Sequence, residues 1–211
     1  MNEEENVNTG SPSEAPEPPK EQPKKKKGRR AYLEDIHRTA DGRFIYTGPC
    51  FEYDEEFNTR SSVVARLWLM LLPAVAACVG GGCFVTPFMR DTWYTIGPYG
   101  FEFALMGTVL WAVCRITGNG KILREYVRKQ TFGALPLRCW LAAGFAGIGL
   151  IGAVVYIIAH GTGMTTQAGE FVDKTFESVA YLCLKAAVIV SCIFIARYSN
   201  AVKWSETAEK V

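Results

Sequence analysis

The sequence has little of the chemistry from which catalytic and metal sites are usually built. It contains only two histidines, His37 and His160, too few for a zinc site of the usual type or for two haem ligands in a membrane. Its seven cysteines include no CxxC pair, which disfavours a thioredoxin-like or quinone-linked thiol relay. The GxSxG, HExxH and P-loop motifs are absent as well. We therefore expect a non-enzymatic protein without a metal or a cofactor.

Charge is missing from two long stretches of the chain. Neither the segment 67–89 nor the segment 139–169 contains Asp, Glu, Lys or Arg. By contrast, residues 1–66 hold 24 of the 44 charged side chains. An uncharged apolar stretch of about 18 residues or more is long enough to cross a bilayer. This segregation excludes a simple soluble globule and a disulfide-rich secreted domain.

The hydropathy pattern predicts an all-α integral membrane protein with a four-helix transmembrane bundle over residues 63–200. The expected spans are about 64–87, 95–115, 139–160 and 177–197, each close to the ~20 residues that a span needs. The second and fourth spans each carry one charge. A re-entrant or surface helix is the alternative for them, but their other residues are apolar on all sides.

The basic residues predict the orientation of these spans. Bases concentrate in cytoplasmic loops, and here eleven fall on one side against two on the other. The eleven are Arg60, Arg66, Arg115, Lys121, Arg124, Arg128, Lys129, Arg138, Arg197, Lys203 and Lys210, and the two are Arg90 and Lys174. We therefore expect a multi-pass protein of the cell membrane with both termini, including the tail 201–211, in the cytoplasm.

Two ionisable residues of opposite sign fall inside the predicted spans. Glu102 precedes Arg115, and Lys185 precedes Arg197, by nearly the same number of positions. At 1.5 Å per helical residue, both lie about 18–19 Å from the same membrane surface. A charge in a span is usually paired or faces a polar interior. We therefore predict a Glu102–Lys185 ion pair in the bundle interior.

The same depth holds other polar or small residues, including Tyr181, Gly149 and the run Gly80-Gly81-Gly82. Glycines allow helices to approach closely or expose backbone to a ligand. One interpretation is a polar site for an ion or a small solute, lined by Glu102, Lys185 and Tyr181. The alternative is close helix packing around one structural ion pair.

Residues 1–30 are predicted to be a disordered tail, because they are rich in Pro, Glu, Ser and Lys and contain almost no apolar side chains. A polybasic run within this tail is a candidate contact for anionic lipids, and a solvated basic patch that helps to set the topology is the alternative. No folded nucleic-acid-binding module accompanies the run, so no nucleic-acid partner is expected. The run consists of Lys24, Lys25, Lys26, Lys27, Arg29 and Arg30.

Residues 31–62 are predicted to form a small juxtamembrane segment, with a short helix over 32–39 and β-like stretches at 43–46 and 50–53. Their spacing suggests a partner-binding hairpin, and a simple membrane-proximal cap is the alternative. Residues 121–131 place Ile122, Leu123, Tyr126 and Val127 at helical spacing. This pattern predicts an interfacial amphipathic helix, with a solvated helical loop as the alternative.

These features favour an accessory, scaffold or regulatory subunit in the lipid bilayer, with a membrane-protein partner or a second copy of itself. The alternative is a small oligomeric transporter or channel that uses the Glu102/Lys185 layer.

Overall fold

The computed structural model describes residues 36–38, 44–46, 48–84, 86–165 and 171–207. Four long helices in it have the length and apolar composition needed to cross a membrane, as in a multi-pass membrane protein. The predicted helical bundle with four such helices is confirmed. The helices are α1 (Arg60–Cys83), α2 (Pro87–Asp91), α3 (Trp93–Gly118), α4 (Glu125–Gln130), α5 (Leu135–His160) and α6 (Thr175–Ala201), of which α1, α3, α5 and α6 are the long ones.

The four long helices form a ring. Helix α1 packs beside α3 and α6, and α5 packs beside the same two helices, so α3 and α6 occupy diagonally opposite corners. The buried face of α5 consists mostly of small residues, which allow close approach of its neighbours. These small residues are Ala142, Ala143, Ala146, Gly149 and Ala153.

Seven short strands form three small antiparallel sheets in the described part of the chain. Strand β1 (Ile36–Arg38) pairs with β2 (Phe44–Tyr46), and β5 (Gly163–Thr165) pairs with β6 (Phe171–Asp173). The third sheet has β3 (Cys50–Tyr53) in its centre, between β4 (Ile122–Arg124) and β7 (Trp204–Thr207). We call β3, β4, β7 and α4 the cap, and the end of the bundle that it adjoins the capped end.

The cap corrects two expectations for the juxtamembrane segment. Residues 44–46 and 50–53 do not pair with each other, because β2 pairs with β1 while β4 and β7 occupy both edges of β3, and residue 43 lies outside the described residues. This pairing buries Cys50 and Tyr53, which an isolated two-stranded hairpin would leave in water. Residues 36–38, predicted within a helix, form β1 instead, and residues 32–35 and 39 lie outside the described residues.

The predicted interfacial helix over 121–131 is also wrong in its extent and in what covers it. Its first part is strand β4, and the helix itself is only the short α4. Leu123 and Val127 are buried in the main core cluster of the protein. Their side chains therefore pack against the chain itself, because the strand and α4 fold onto the bundle end.

An aromatic cluster packs at the junction between the cap and the bundle. The Tyr53 and Trp204 rings lie 4.7 Å apart, and the Phe132 ring lies 4.8 Å from Trp204 and 6.2 Å from Tyr53, between ring centroids. Arg60, the first residue of α1, donates hydrogen bonds through Nη2 to the carbonyls of Thr117 (2.8 Å) and Asn119 (2.7 Å). These contacts join distant parts of the chain into one unit.

The Tyr53 hydroxyl gives the cap a defined sensitivity to alkaline pH. Burial raises the pKa of Tyr53 to about 12, although the charge of nearby Arg60 opposes this shift. In the unfolded chain a tyrosine has a pKa of about 10. Between these values the unfolded state loses a proton that the folded state keeps. This contribution to stability is therefore present below about pH 10 and is lost as the pH rises towards 12.

Replacing Tyr53 with Phe should remove this alkaline loss, which is up to about 3 kcal/mol. Near neutral pH the change should be nearly silent, because Tyr53 Oη has no hydrogen-bond partner among the described residues. Thermal unfolding of the detergent-purified chain, compared at about pH 8 and about pH 11, measures the difference. The prediction is contradicted if wild type and Tyr53→Phe lose the same stability between the two pH values. Tyr94→Phe, at the opposite end of the bundle, is the matched control.

Candidate functional site

Glu102 and Lys185 meet in the interior of the bundle. Glu102 lies on α3 and Lys185 on α6, and their side chains are 0 % and 1 % exposed. Lys185 Nζ donates a hydrogen bond to Glu102 Oε2 and forms an ion pair with it. Because α3 and α6 lie on a diagonal, this ion pair crosses the centre of the bundle. The two charges that the sequence places at equal depth are thus brought together.

Two tyrosine rings surround the ammonium group. Lys185 Nζ lies 4.5 Å from the Tyr99 ring centroid and 5.1 Å from that of Tyr181, within the range of cation–π attraction. Tyr99 Oη also donates a hydrogen bond to the Cys78 carbonyl (3.3 Å). The cation therefore has one carboxylate and two aromatic faces around it, which offsets part of the free energy of removing it from water.

Glycines make room for these tyrosines. The Tyr181 ring lies beside Gly81, and its hydroxyl lies near Gly149. The contact is closest at Gly82, where an added Cβ would lie 2.0 Å from Tyr99 Oη and 2.7 Å from Tyr99 Cζ. At Gly80 an added Cβ would lie no closer than 3.4 Å to Leu184. The position of Tyr99 therefore requires a glycine at 82 but not at 80.

Gly82→Ala is therefore expected to displace Tyr99 from Lys185 and to destabilise the protein by about 1–3 kcal/mol, as overpacking does. Gly80→Ala is the matched control. It lies in the same helix and has the same helix propensity gain of up to about 1 kcal/mol. Thermal unfolding of both variants measures the contrast. Equal stability of the two would show that the Tyr99 position does not depend on Gly82.

Several buried polar atoms of the bundle lack a hydrogen-bond partner. Within the described ranges, Glu102 Oε1, Tyr181 Oη, Ser178 Oγ and Thr86 Oγ1 have no hydrogen-bond partner, while the Cys78 thiol interacts with the Glu102 carboxylate. Leaving such an atom unsatisfied costs about 1–3 kcal/mol. These atoms all belong to the half of the bundle away from the cap.

The ion pair of Glu102 and Lys185 also divides the hydrophobic core. A large cluster extends from Tyr53 in the cap to Met106, Cys78 and Val188. A small second cluster contains Phe88, Ala153 and Tyr181, and the Phe88 and Tyr181 ring centroids lie 5.0 Å apart. Phe88 belongs to the short helix α2, which closes the end of the bundle opposite the cap. The ion pair thus separates a capped half from a half covered by α2.

In the ranges that the structure covers, no group of three or more His, Cys, Asp or Glu residues could hold a metal ion. All seven cysteines are free thiols. The polybasic residues 24–27, 29 and 30 lie outside the described residues.

The structure adds Tyr99 to the site and shows two further buried polar residues, Ser178 and Thr86, in the same half of the bundle. Tyr99 precedes Glu102 by three positions, and Ser178 precedes Lys185 by seven positions. Both spacings place the two side chains on one face of a helix, so a search for polar residues at these intervals would have found them. Thr86 lies between α1 and α2, where no helical spacing could indicate it.

Comparison of the chain with protein-family models, with curated proteins and with solved structures found no match. The contacts, charges and burial of the chain's own residues therefore carry the functional proposal.

Proposed function

We propose that this protein is a non-enzymatic accessory, scaffold or regulatory subunit of the cell membrane, whose cap binds a protein partner. The single observation that carries this proposal is the construction of the cap from three distant segments. Strands β3, β4 and β7 come from the chain before α1, from the connection between α3 and α5, and from the chain after α6. Such a cap is a folded surface that is connected through the chain to α1, α3, α5 and α6.

The charge distribution supports a cytoplasmic position for the cap. Most of the described bases outside the bundle interior lie at or near the capped end. The exceptions are Arg90 and Lys174, and Arg38 on β1. By the positive-inside rule, this end and both termini face the cytoplasm. The polybasic run at 24–30 would then lie near the anionic leaflet, where each base contributes about 1 kcal/mol of attraction.

The surface of the cap offers a specific test. Phe57 is 60 % exposed and lies beside the cap, with Lys203 Nζ 3.6 Å from its ring centroid. Glu206 on β7 is also exposed. Phe171 is equally apolar and is 76 % exposed, but it lies at the opposite end of the bundle. Substituting these residues changes the surface without removing a buried side chain.

The experiment compares complexes purified in mild detergent, with the co-purifying protein identified and its amount measured by mass spectrometry. We expect Phe57→Ser combined with Glu206→Lys to lose the partner, while Phe171→Ser and the ion-pair double variant Glu102→Gln/Lys185→Met retain it. Retention by the cap variant, or equal loss in all three, would contradict the proposal. A complex that contains only this chain would indicate a homo-oligomer.

A second candidate function, a small oligomeric transporter or channel, is favoured by the unpartnered polar atoms beside the ion pair. Glu102 Oε1 and Tyr181 Oη are buried polar groups that a proton, an ion or a small solute could engage. Proton flux is the simplest probe: proteoliposomes containing a pH-sensitive dye should dissipate a pH step, and Glu102→Gln should abolish this while Glu177→Gln does not. Flux no greater than in protein-free liposomes would count against proton transport.

A further inference from the structure

Two arginines flank one tryptophan on the outer surface of the bundle, close to the capped end. Trp111 on α3 is 49 % exposed. Arg115 Cζ lies 5.2 Å and Arg138 Cζ 5.6 Å from the centroid of its ring. Arg115 follows Trp111 by one helical turn, and Arg138 lies in the first turn of the neighbouring helix α5. The indole is therefore contacted by guanidinium groups from two adjacent helices.

Uncharged acceptors hold both guanidinium groups in place. Arg115 Nη1 donates a hydrogen bond to Gln130 Oε1 (2.8 Å), and Arg138 Nη1 donates one to the Thr108 carbonyl (3.3 Å). Neither arginine forms an ion pair with a carboxylate of the described residues. Because a guanidinium group has five N–H donors, this pair of positive charges can still bind an anion.

The position along the helices matches the headgroup region of a bilayer. Arg115 lies three positions before the end of α3, and Arg138 lies three positions after the start of α5, so their backbones are about 5 Å from the helix ends. Trp111 lies seven positions before the end of α3, which places the site itself about 10 Å from that end. Exposed tryptophans are enriched at this level, and Trp140, which is 52 % exposed, lies in the same turn region of α5. Lipid phosphates lie at this level too.

We propose that Trp111, Arg115 and Arg138 form a binding site for the phosphodiester group of an anionic phospholipid. The planar guanidinium groups match two phosphate oxygens at once, and the exposed indole provides an apolar surface for the glycerol and upper acyl chain. This apolar part of the site selects a bilayer lipid over free phosphate. The inference goes beyond the proposed scaffold function and concerns the outer face of α3 and α5, which meets the cap at Gln130.

The test measures fluorescence quenching of Trp111 by brominated lipids in vesicles containing the full chain. Brominated phosphatidylglycerol is compared with brominated phosphatidylcholine, and the difference between each protein and its Trp111→Phe form isolates this one tryptophan among five. We expect several-fold stronger quenching by the anionic lipid in the wild type, and equal quenching by the two lipids in Arg115→Gln/Arg138→Gln.

The control variant is Arg66→Gln/Arg197→Gln, which removes the same charge from exposed positions near the capped end. It should keep the preference for the anionic lipid. An equal loss in both double variants, or no loss in either, would overturn the site, as would competition by excess inorganic phosphate. Circular dichroism checks the helix content. If Arg115→Gln/Arg138→Gln does not fold, Arg138→Gln alone must lower the preference, and an unchanged preference there refutes the proposal.

Discussion

Glu102→Gln is expected to lower the free energy of unfolding by about 3–5 kcal/mol, because it leaves the buried Lys185 ammonium without its counter-charge. Lys185→Met should have a similar effect, since it leaves the Glu102 carboxylate unpaired at 0 % exposure. The double variant should recover part of the loss, with a coupling free energy of about 2 kcal/mol. Unfolding by increasing denaturing detergent, followed by circular dichroism, measures all three variants.

An ion pair at the end of the bundle supplies a control for these three ion-pair variants. Lys174 Nζ and Glu177 Oε1 lie 2.7 Å apart, with side chains 22 % and 27 % exposed. A pair in contact with solvent contributes little, so Glu177→Gln and Lys174→Met should scarcely change the unfolding transition. If the buried double variant were no more stable than its two single variants, the ion pair would not stabilise the bundle through mutual attraction.

Phe132→Ala is expected to cost about 3–5 kcal/mol, as truncation of a buried aromatic side chain does. Phe132 is 5 % exposed, and its ring contacts both Tyr53 and Trp204. The loss should be concentrated in the cap. Hydrogen exchange should therefore accelerate in β3, β4 and β7 before it does in the long helices, because regions with fewer buried contacts open first.

Phe57→Ala is the matched control for Phe132→Ala. Phe57 is also next to the cap but is 60 % exposed, so its truncation should leave exchange in the three strands nearly unchanged. Uniform acceleration across α1, α3, α5 and α6 in Phe132→Ala would show that the cap is not a separate unit of stability. The same two variants distinguish the stability of the cap from partner binding. Phe132 is buried, so its truncation affects stability, whereas Phe57 is exposed and available to a partner.

The bundle was predictable because hydropathy reports burial in lipid directly. Four apolar stretches correspond to four long helices, and most of the helix ends lie somewhat beyond the predicted spans, as at Arg60, where α1 begins before position 64. Backbone hydrogen bonding continues into the polar ends, where hydropathy no longer indicates a helix. Equal depth also indicated the contact of Glu102 with Lys185, because regular helical rise converts residue number into distance.

The cap was not predictable in the same way. Its strands are very short, and their partners are far away in the sequence. Two long helices separate β3 from β4, and all four separate β3 from β7. Local propensity therefore contains no information on which strands pair. The spacing of Leu123 and Val127 fits a helix, yet Leu123 lies in a strand because pairing with β3 buries it. The aromatic environment of Lys185 was partly missed for a simpler reason: a tyrosine near the end of a span, such as Tyr99, is typical of the membrane interface.

The pairing of β3 with β7 has a consequence for biosynthesis. Strand β3 leaves the ribosome about 150 residues before its partner β7, which at about 5–20 residues per second is a delay of roughly 8–30 s. During this interval all four long helices are synthesised, because the chain passes through each of them before Trp204. The sheet therefore cannot close before all four long helices have been synthesised. A molecule whose final helix fails to insert would keep an open β-strand edge, the kind of surface that promotes aggregation and that quality-control proteases can reach.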